Sequence, residues 1–160
     1  MDYRTIVGSY LLTFGNLEQT IDTSIQVIWK KHFGDHSAEI ICKIIKKMNF
    51  QKRLEILEEL IHHIGLPDFN ISEWDELFSS INSLNDMRNI LAHGMYGIEK
   101  DHFIKLKRDH ESKEIDDESL IKNQKELEER YRQLFDSVVE STVIGEEKQI
   151  WISRFPKLKW

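Results

Sequence analysis

Val7, Leu11, Phe14, Leu17, Ile21, Ile25 and Ile28 recur at intervals of three and four residues through the start of the chain. That spacing is one face of an α-helix. It does not fit a strand, whose side chains repeat every two residues. So long an apolar stripe has to be buried against other elements. It predicts a first helix over residues 3–33. Glu18 lies within the stripe rather than opposite it.

The helical period continues. Gly34-Asp35-His36-Ser37 reads as a break, with Ser37 as the next N-cap. Residues 38–48 predict a second helix with Ile41, Ile44, Ile45 and Met48 inward. The next apolar set is Phe50, Leu54, Leu57, Ile61 and Ile64. On one straight helix it would point to nearly the opposite side, so a break falls near Asn49 and a third helix spans about 50–64. Gly65-Leu66-Pro67 stops that helix. Ser72 reads as the cap of a fourth helix running to about His93. Tyr96–Ile98 and His102–Arg108 suggest a small β-hairpin, with 109–117 too polar to bury much. A last helix over about 118–144, capped by Asp116 or Asp117, turns Leu120, Leu127, Tyr131, Leu134, Phe135 and Val138 inward. The expected fold is all-α, about five helices with a hairpin inserted before the last.

Two prolines and seven glycines in 160 residues argue against a turn-rich all-β fold. The length fits a single domain, 1–160, with its core at 3–144. The tail, 145–160, is apolar enough to dock on the bundle or on a partner subunit. The net charge of −6 comes from one region. Residues 109–129 hold nine acids against three lysines, which leaves nineteen of each sign elsewhere. The acidity therefore neither excludes a nucleic-acid partner nor points to one. No apolar run approaches membrane-spanning length, and Met-Asp-Tyr-Arg lacks the layout of a secretory leader. The expectation is a cytoplasmic protein with no membrane partner. Cys42, the single cysteine, reads as a buried structural thiol.

One stretch breaks its own helix's pattern: Met87-Arg88-Asn89-Ile90-Leu91-Ala92-His93-Gly94. Leu77, Ile81, Leu84, Leu91 and Met95 share a stripe, and Arg88 falls in the middle of it. A guanidinium keeps its proton, so that position demands a partner or a cleft. One reading is an ion pair with Glu18 that fastens two helices. The other is a cleft in which the planar fork of Arg88 binds a phosphate. The two are compatible, because Glu18 could position Arg88. His93 alone would read as a capping or surface residue. Asn89, one turn before it, can orient the imidazole, and a fixed imidazole is a candidate general base. Asp86 is close in angle but two turns away from His93. The Lys43, Lys46 and Lys47 face reads as solvated rather than as an RNA patch. No spacing fits a metal site: His32 and His36 straddle Gly34, and the adjacent His62 and His63 point apart. No cofactor motif is present.

The Arg88-Asn89…His93 stretch, with four residues between Arg and His, resembles the signature of the HEPN superfamily (higher eukaryotes and prokaryotes nucleotide-binding domains). The small-residue-then-acid run Gly15-Asn16-Leu17-Glu18 on the first helix is similar to a pattern common there. The architectural resemblance spans residues 3–144, and only 88–93 is specific. It implies a HEPN-like bundle that forms a homodimer with a composite cleft. It also implies a metal-independent endoribonuclease acting on tRNA or mRNA in a toxin–antitoxin or phage-defence setting, with a possible antitoxin protein as partner. His93 would move the proton of the 2′-hydroxyl, Arg88 would stabilise charge on the scissile phosphate, and Asn89 would position one of them. Glu18, Asp86 and Tyr96 are supporting candidates. In the toxin branch whose antitoxin is a small nucleotidyltransferase, a tyrosine two residues after the histidine is modified. Here Met95 holds that position and Tyr96 follows it. The alternative is a non-catalytic HEPN module for nucleotide binding or protein association. A third reading is an all-α bundle whose motif is coincidental.

Arg88 and His93 lie about 140° apart on a helical wheel at roughly 100° per residue. One helix cannot easily aim both at the same atom. A cleft shared by two chains can, because a twofold brings each motif against its mate.

Overall fold

The computed structural model describes the backbone of residues 3–64, 71–93, 95–99, 103–108 and 111–142. Five helices make up the body: α1 (Tyr3–Phe33), α2 (Asp35–Ile45), α3 (Phe50–Ile64), α4 (Ile71–His93) and α5 (Asp117–Thr142). Between α4 and α5 run three antiparallel strands, β1 (Met95–Glu99), β2 (Phe103–Arg108) and β3 (Glu111–Asp116), in the order β1-β2-β3. Tyr96 pairs with Leu106, and Leu106 with Lys113. The expected stop at Gly65-Leu66-Pro67, Gly94 and the tail lie outside the described residues. So do the side chains of Asp116 and Asp117. Among the described residues, no helix is long and apolar enough to cross a membrane.

The helix boundaries follow from local chemistry. Gly34 has φ +84° and ψ 169°, a conformation open to glycine and closed to side chains. Its N–H still bonds Lys30 O, and its carbonyl accepts from Ala38, so one residue ends α1 and starts α2. Ser37 is therefore not the cap. It sits inside the first turn of α2, with its hydroxyl 2.8 Å from the carbonyls of Phe33 and Gly34. The next break does fall at Asn49. Its side-chain oxygen accepts from the Lys52 N–H at 2.9 Å and its carbonyl from Arg53, an N-cap that starts α3. Ser72 lies within α4, which begins one residue earlier.

The chain forms two compact units, and both are discontinuous in sequence. The first comprises Met1–Glu18 and Asp75–Arg132, and the second Gln19–Trp74 and Gln133–Trp160. In the first unit Ile6, Tyr10, Phe14 and Leu17 of α1 are buried, as are Leu77, Phe78, Ile81, Leu84 and Leu91 of α4 and Leu120, Leu127 and Tyr131 of α5. The start of α1 is rotated from expectation: Ile6 and Tyr10 are buried, while Val7 and Leu11 are half-buried.

In the second unit the core holds Ile21, Ile25, Ile28, Ile45, Leu54, Leu57, Trp74, Leu134 and Val138. Ile41 and Ile45 are the inward residues of α2. Ile44 is exposed, Met48 is half-buried, and the Cys42 thiol is only half-buried rather than a core group. Ser24 is buried among these isoleucines because its hydroxyl bonds back to Thr20 O at 2.7 Å. Asp22 and Arg53 tie α1 to α3, with Arg53 Nη1 2.9 Å from both carboxylate oxygens.

Candidate functional site

The motif lies on the C-terminal half of α4, in the first unit. Two rows of side chains at four-residue spacing meet there. Tyr10, Phe14 and Glu18 form one on α1, and Leu84 and Arg88 form the other on α4. The rows are fastened at both ends. Tyr10 donates its hydroxyl to Leu84 O at 2.8 Å. Arg88 Nη2 lies 3.8 Å from Glu18 Oε1. Between them, the guanidinium carbon of Arg88 sits 5.9 Å from the centre of the Phe14 ring. That contact lies near the outer limit for attraction between a cation and a ring face.

Arg88 Nη1 also donates to Asn89 Oδ1 at 3.1 Å, its one hydrogen-bond acceptor among the described residues. Neighbours in sequence do not usually meet on a helix. Here the arginine stem lets the guanidinium bend back to Asn89. Arg88 is thus held on three sides by an amide oxygen, a carboxylate and an aromatic ring. Its side chain is nonetheless 31% exposed, and that of Glu18 is 25% exposed. The 3.8 Å separation is an ion pair rather than a close hydrogen bond. Among the described residues, one of the five N–H donors of the fork meets a hydrogen-bond acceptor.

His93 is exposed at the last position of α4. Among the described residues it makes no hydrogen bond or ion pair with Arg88. The structure therefore brings Arg88, Asn89 and Glu18 together, and among the described residues no contact joins His93 to them. Asp86 is exposed, and among the described residues no hydrogen bond or ion pair joins it to this cluster. Tyr96 lies on β1, and its side chain falls outside the described residues. Lys43, Lys46 and Lys47 are all exposed, on the second unit.

Phe14 and Tyr10 belong to this site and were not apparent as such in the sequence. Phe14 reads as ordinary core, and Tyr10 falls outside the expected stripe. The usable signal is the four-residue row Tyr10–Phe14–Glu18, which places a phenol, a ring and a carboxylate on one line. Burial, and then the nearby Glu126 carboxylate, push the Tyr10 phenol well above its ordinary pKa, so it stays a hydrogen-bond donor.

Chemically the arrangement offers a cation held in place but still accessible, with an imidazole farther along the helix. It suits an anion near Arg88 and proton transfer near His93. No protein-family model, no curated protein and no solved structure matches this chain.

Proposed function

We propose that the chain is a metal-independent endoribonuclease of the HEPN type, working as a homodimer in a toxin–antitoxin or phage-defence setting. The observation that carries this reading is the state of Arg88. It is positioned by Asn89, Glu18 and Phe14, yet about a third of its side chain stays open to solvent. An arginine serving only to fasten helices gains nothing from that exposure, whereas a phosphate ligand needs it. His93 is exposed on the same helix, available to a ribose hydroxyl.

In this mechanism His93 takes the proton of the 2′-hydroxyl, and the 2′-oxygen attacks the adjacent phosphorus. The bond to the 5′-oxygen breaks, and the leaving oxygen takes up a proton from an imidazolium or water. The products are a 2′,3′-cyclic phosphate and a 5′-hydroxyl. Arg88 neutralises charge on the phosphoryl oxygens as it develops, and Glu18 and Asn89 keep the fork aimed. The separation of Arg88 and His93 around α4 is accommodated if each cleft takes its arginine from one chain and its histidine from the other.

A second reading has one specific observation in its favour: Arg88 already has an acceptor and a counter-charge within its own fold. On that reading the motif binds a nucleotide or organises the helices, and the protein works by association.

Incubating purified protein with total RNA or tRNA in EDTA separates the two. Wild type is expected to cut and to leave cyclic phosphate ends, while Arg88→Ala and His93→Ala do not. Equal cutting by wild type and both variants, or none by dimeric wild type, refutes the ribonuclease reading.

A further inference from the structure

On the second unit, Trp29 and Phe33 of α1, Met48, and Ile56 and Leu60 of α3 line an apolar groove of about 550 Å³. Phe33 is 58% exposed, an unusual state for a phenylalanine beside an apolar surface. The indole N–H of Trp29, one of the lining residues, is buried and finds no acceptor among the described residues. Buried N–H groups are nearly always paired, so an acceptor is owed here. Glu55 and Glu59 stand one turn apart on the rim. The polar lining residues form two pairs, Lys52 with Glu55 at 2.8 Å and His63 with Glu59 at 3.6 Å, with two carboxylates against one lysine and one histidine.

The chain itself contains a segment of the complementary kind. From Lys148 onward it carries Ile150, Trp151, Ile152, Phe155 and Leu158, interleaved with Lys148, Arg154, Lys157 and Lys159 and with no acidic residue. The segment is also tethered to the same unit. α5 ends at Thr142 in the same unit as the groove. The seven residues 143–149 then span up to about 23 Å when extended.

We propose that this groove is the seat of the chain's own C-terminal segment, with residues 150–155 in it. Their apolar side chains cover Phe33 and the groove floor. A backbone carbonyl of the segment accepts the Trp29 N–H. Arg154 and the lysines that follow lie toward Glu55 and Glu59. The inference is independent of the ribonuclease reading, because Arg88 and His93 belong to the first unit.

Disulfide trapping in the full chain tests it. Glu59→Cys and Ser153→Cys are introduced together in a Cys42→Ser background and oxidised under dilute conditions. A cross-link within one chain is expected, at least tenfold faster than in a control pairing Ser153→Cys with Glu129→Cys on the first unit. No cross-link, or one no faster than the control, overturns the proposal. A cross-link found only between chains also overturns it, in favour of a second copy's tail.

A separate readout avoids the disulfide. The indole N–H resonance of Trp29, assigned with Trp29→Phe, is expected to be protected from exchange in the wild type. In Ile152→Glu and Phe155→Glu, checked for retained helix content by circular dichroism, that protection is expected to be lost. Protection unchanged in both variants overturns the proposal.

Discussion

The hydroxyl of Tyr10 donates to the carbonyl of Leu84 at 2.8 Å, and that carbonyl is the one the helical ladder assigns to the N–H of Arg88. The turn that presents the arginine is thus clamped from α1. Tyr10→Phe removes the donor and leaves the carbonyl with its helical partner, so the expected cost is about 1 kcal/mol in urea unfolding. The pH dependence has a definite sign. The folded chain holds the phenol proton more tightly than the unfolded chain does, since the pKa lies above the ordinary 10.0. This contribution is whole below pH 10.0 and is lost as pH rises through the folded value. Wild type should therefore lose stability relative to Tyr10→Phe in strongly alkaline urea titrations.

At Arg88, stability and activity should separate. The ion pair with Glu18 is long and about a quarter to a third exposed, so Glu18→Gln should cost less than about 1 kcal/mol. If the fork meets a phosphate in the transition state, Arg88→Lys should lower RNA cleavage by about a hundredfold while leaving the melting curve nearly unchanged. A loss of stability as large as the loss of activity would instead mark Arg88 as a fastening between helices.

Two glycines should respond in opposite directions. Neither Gly34 nor Gly15 has an atom within 4 Å of where a Cβ would stand, so crowding decides neither case. Gly34 has φ +84°, and Gly34→Ala should cost about 1–3 kcal/mol in backbone strain. Gly15 lies exposed inside α1, and Gly15→Ala should stabilise by about 0.5–1 kcal/mol through helix propensity. Urea midpoints of the two variants, moving to opposite sides of wild type, are the expected result.

Asp22 offers an acid-side test. Burial raises its pKa above the ordinary 3.8, and the Arg53 guanidinium offsets only part of that rise. A raised carboxylate pKa means the folded state binds the proton more tightly. The contribution is therefore fully present below pH 3.8 and is lost as pH rises through the folded value. The stability of wild type minus that of Asp22→Asn should fall across that window, opposite to the usual carboxylate trend. Arg53→Met, which leaves Asp22 without its two hydrogen bonds, should cost roughly 1.5–3 kcal/mol near neutral pH.

Periodicity made the helices legible because one buried face imposes one spacing. The break at Asn49 could be read from two stripes out of phase, and Asn49 itself forms the cap. Glu18 could be named as the partner of Arg88 because each sits out of place on its own stripe. What escaped depended on single dihedrals and on polar tips. Ser37 has the right chemistry for a cap, but the positive φ at Gly34 starts α2 before it. Tyr10 lies off the three- and four-residue stripe begun at Val7, yet the Leu84 carbonyl lets its whole ring be buried. Ile44 matched the helical period and is exposed, since α2 uses only Ile41 and Ile45 inward.

The discontinuity of the two units has a consequence for synthesis. α1, α2 and α3 emerge early, but the second unit also needs Leu134 and Val138 to fill its core. The 58 residues Asp75–Arg132 separate these pieces. At about 5–20 residues per second, translation of that interval takes roughly 3–12 s. Throughout that wait the isoleucine face of α1 lacks its final cover, so a growing polypeptide presents a greasy surface to the ribosome's surroundings. Chaperone dependence in cells would then trace to the order in which the helices are made rather than to any weakness of the finished protein.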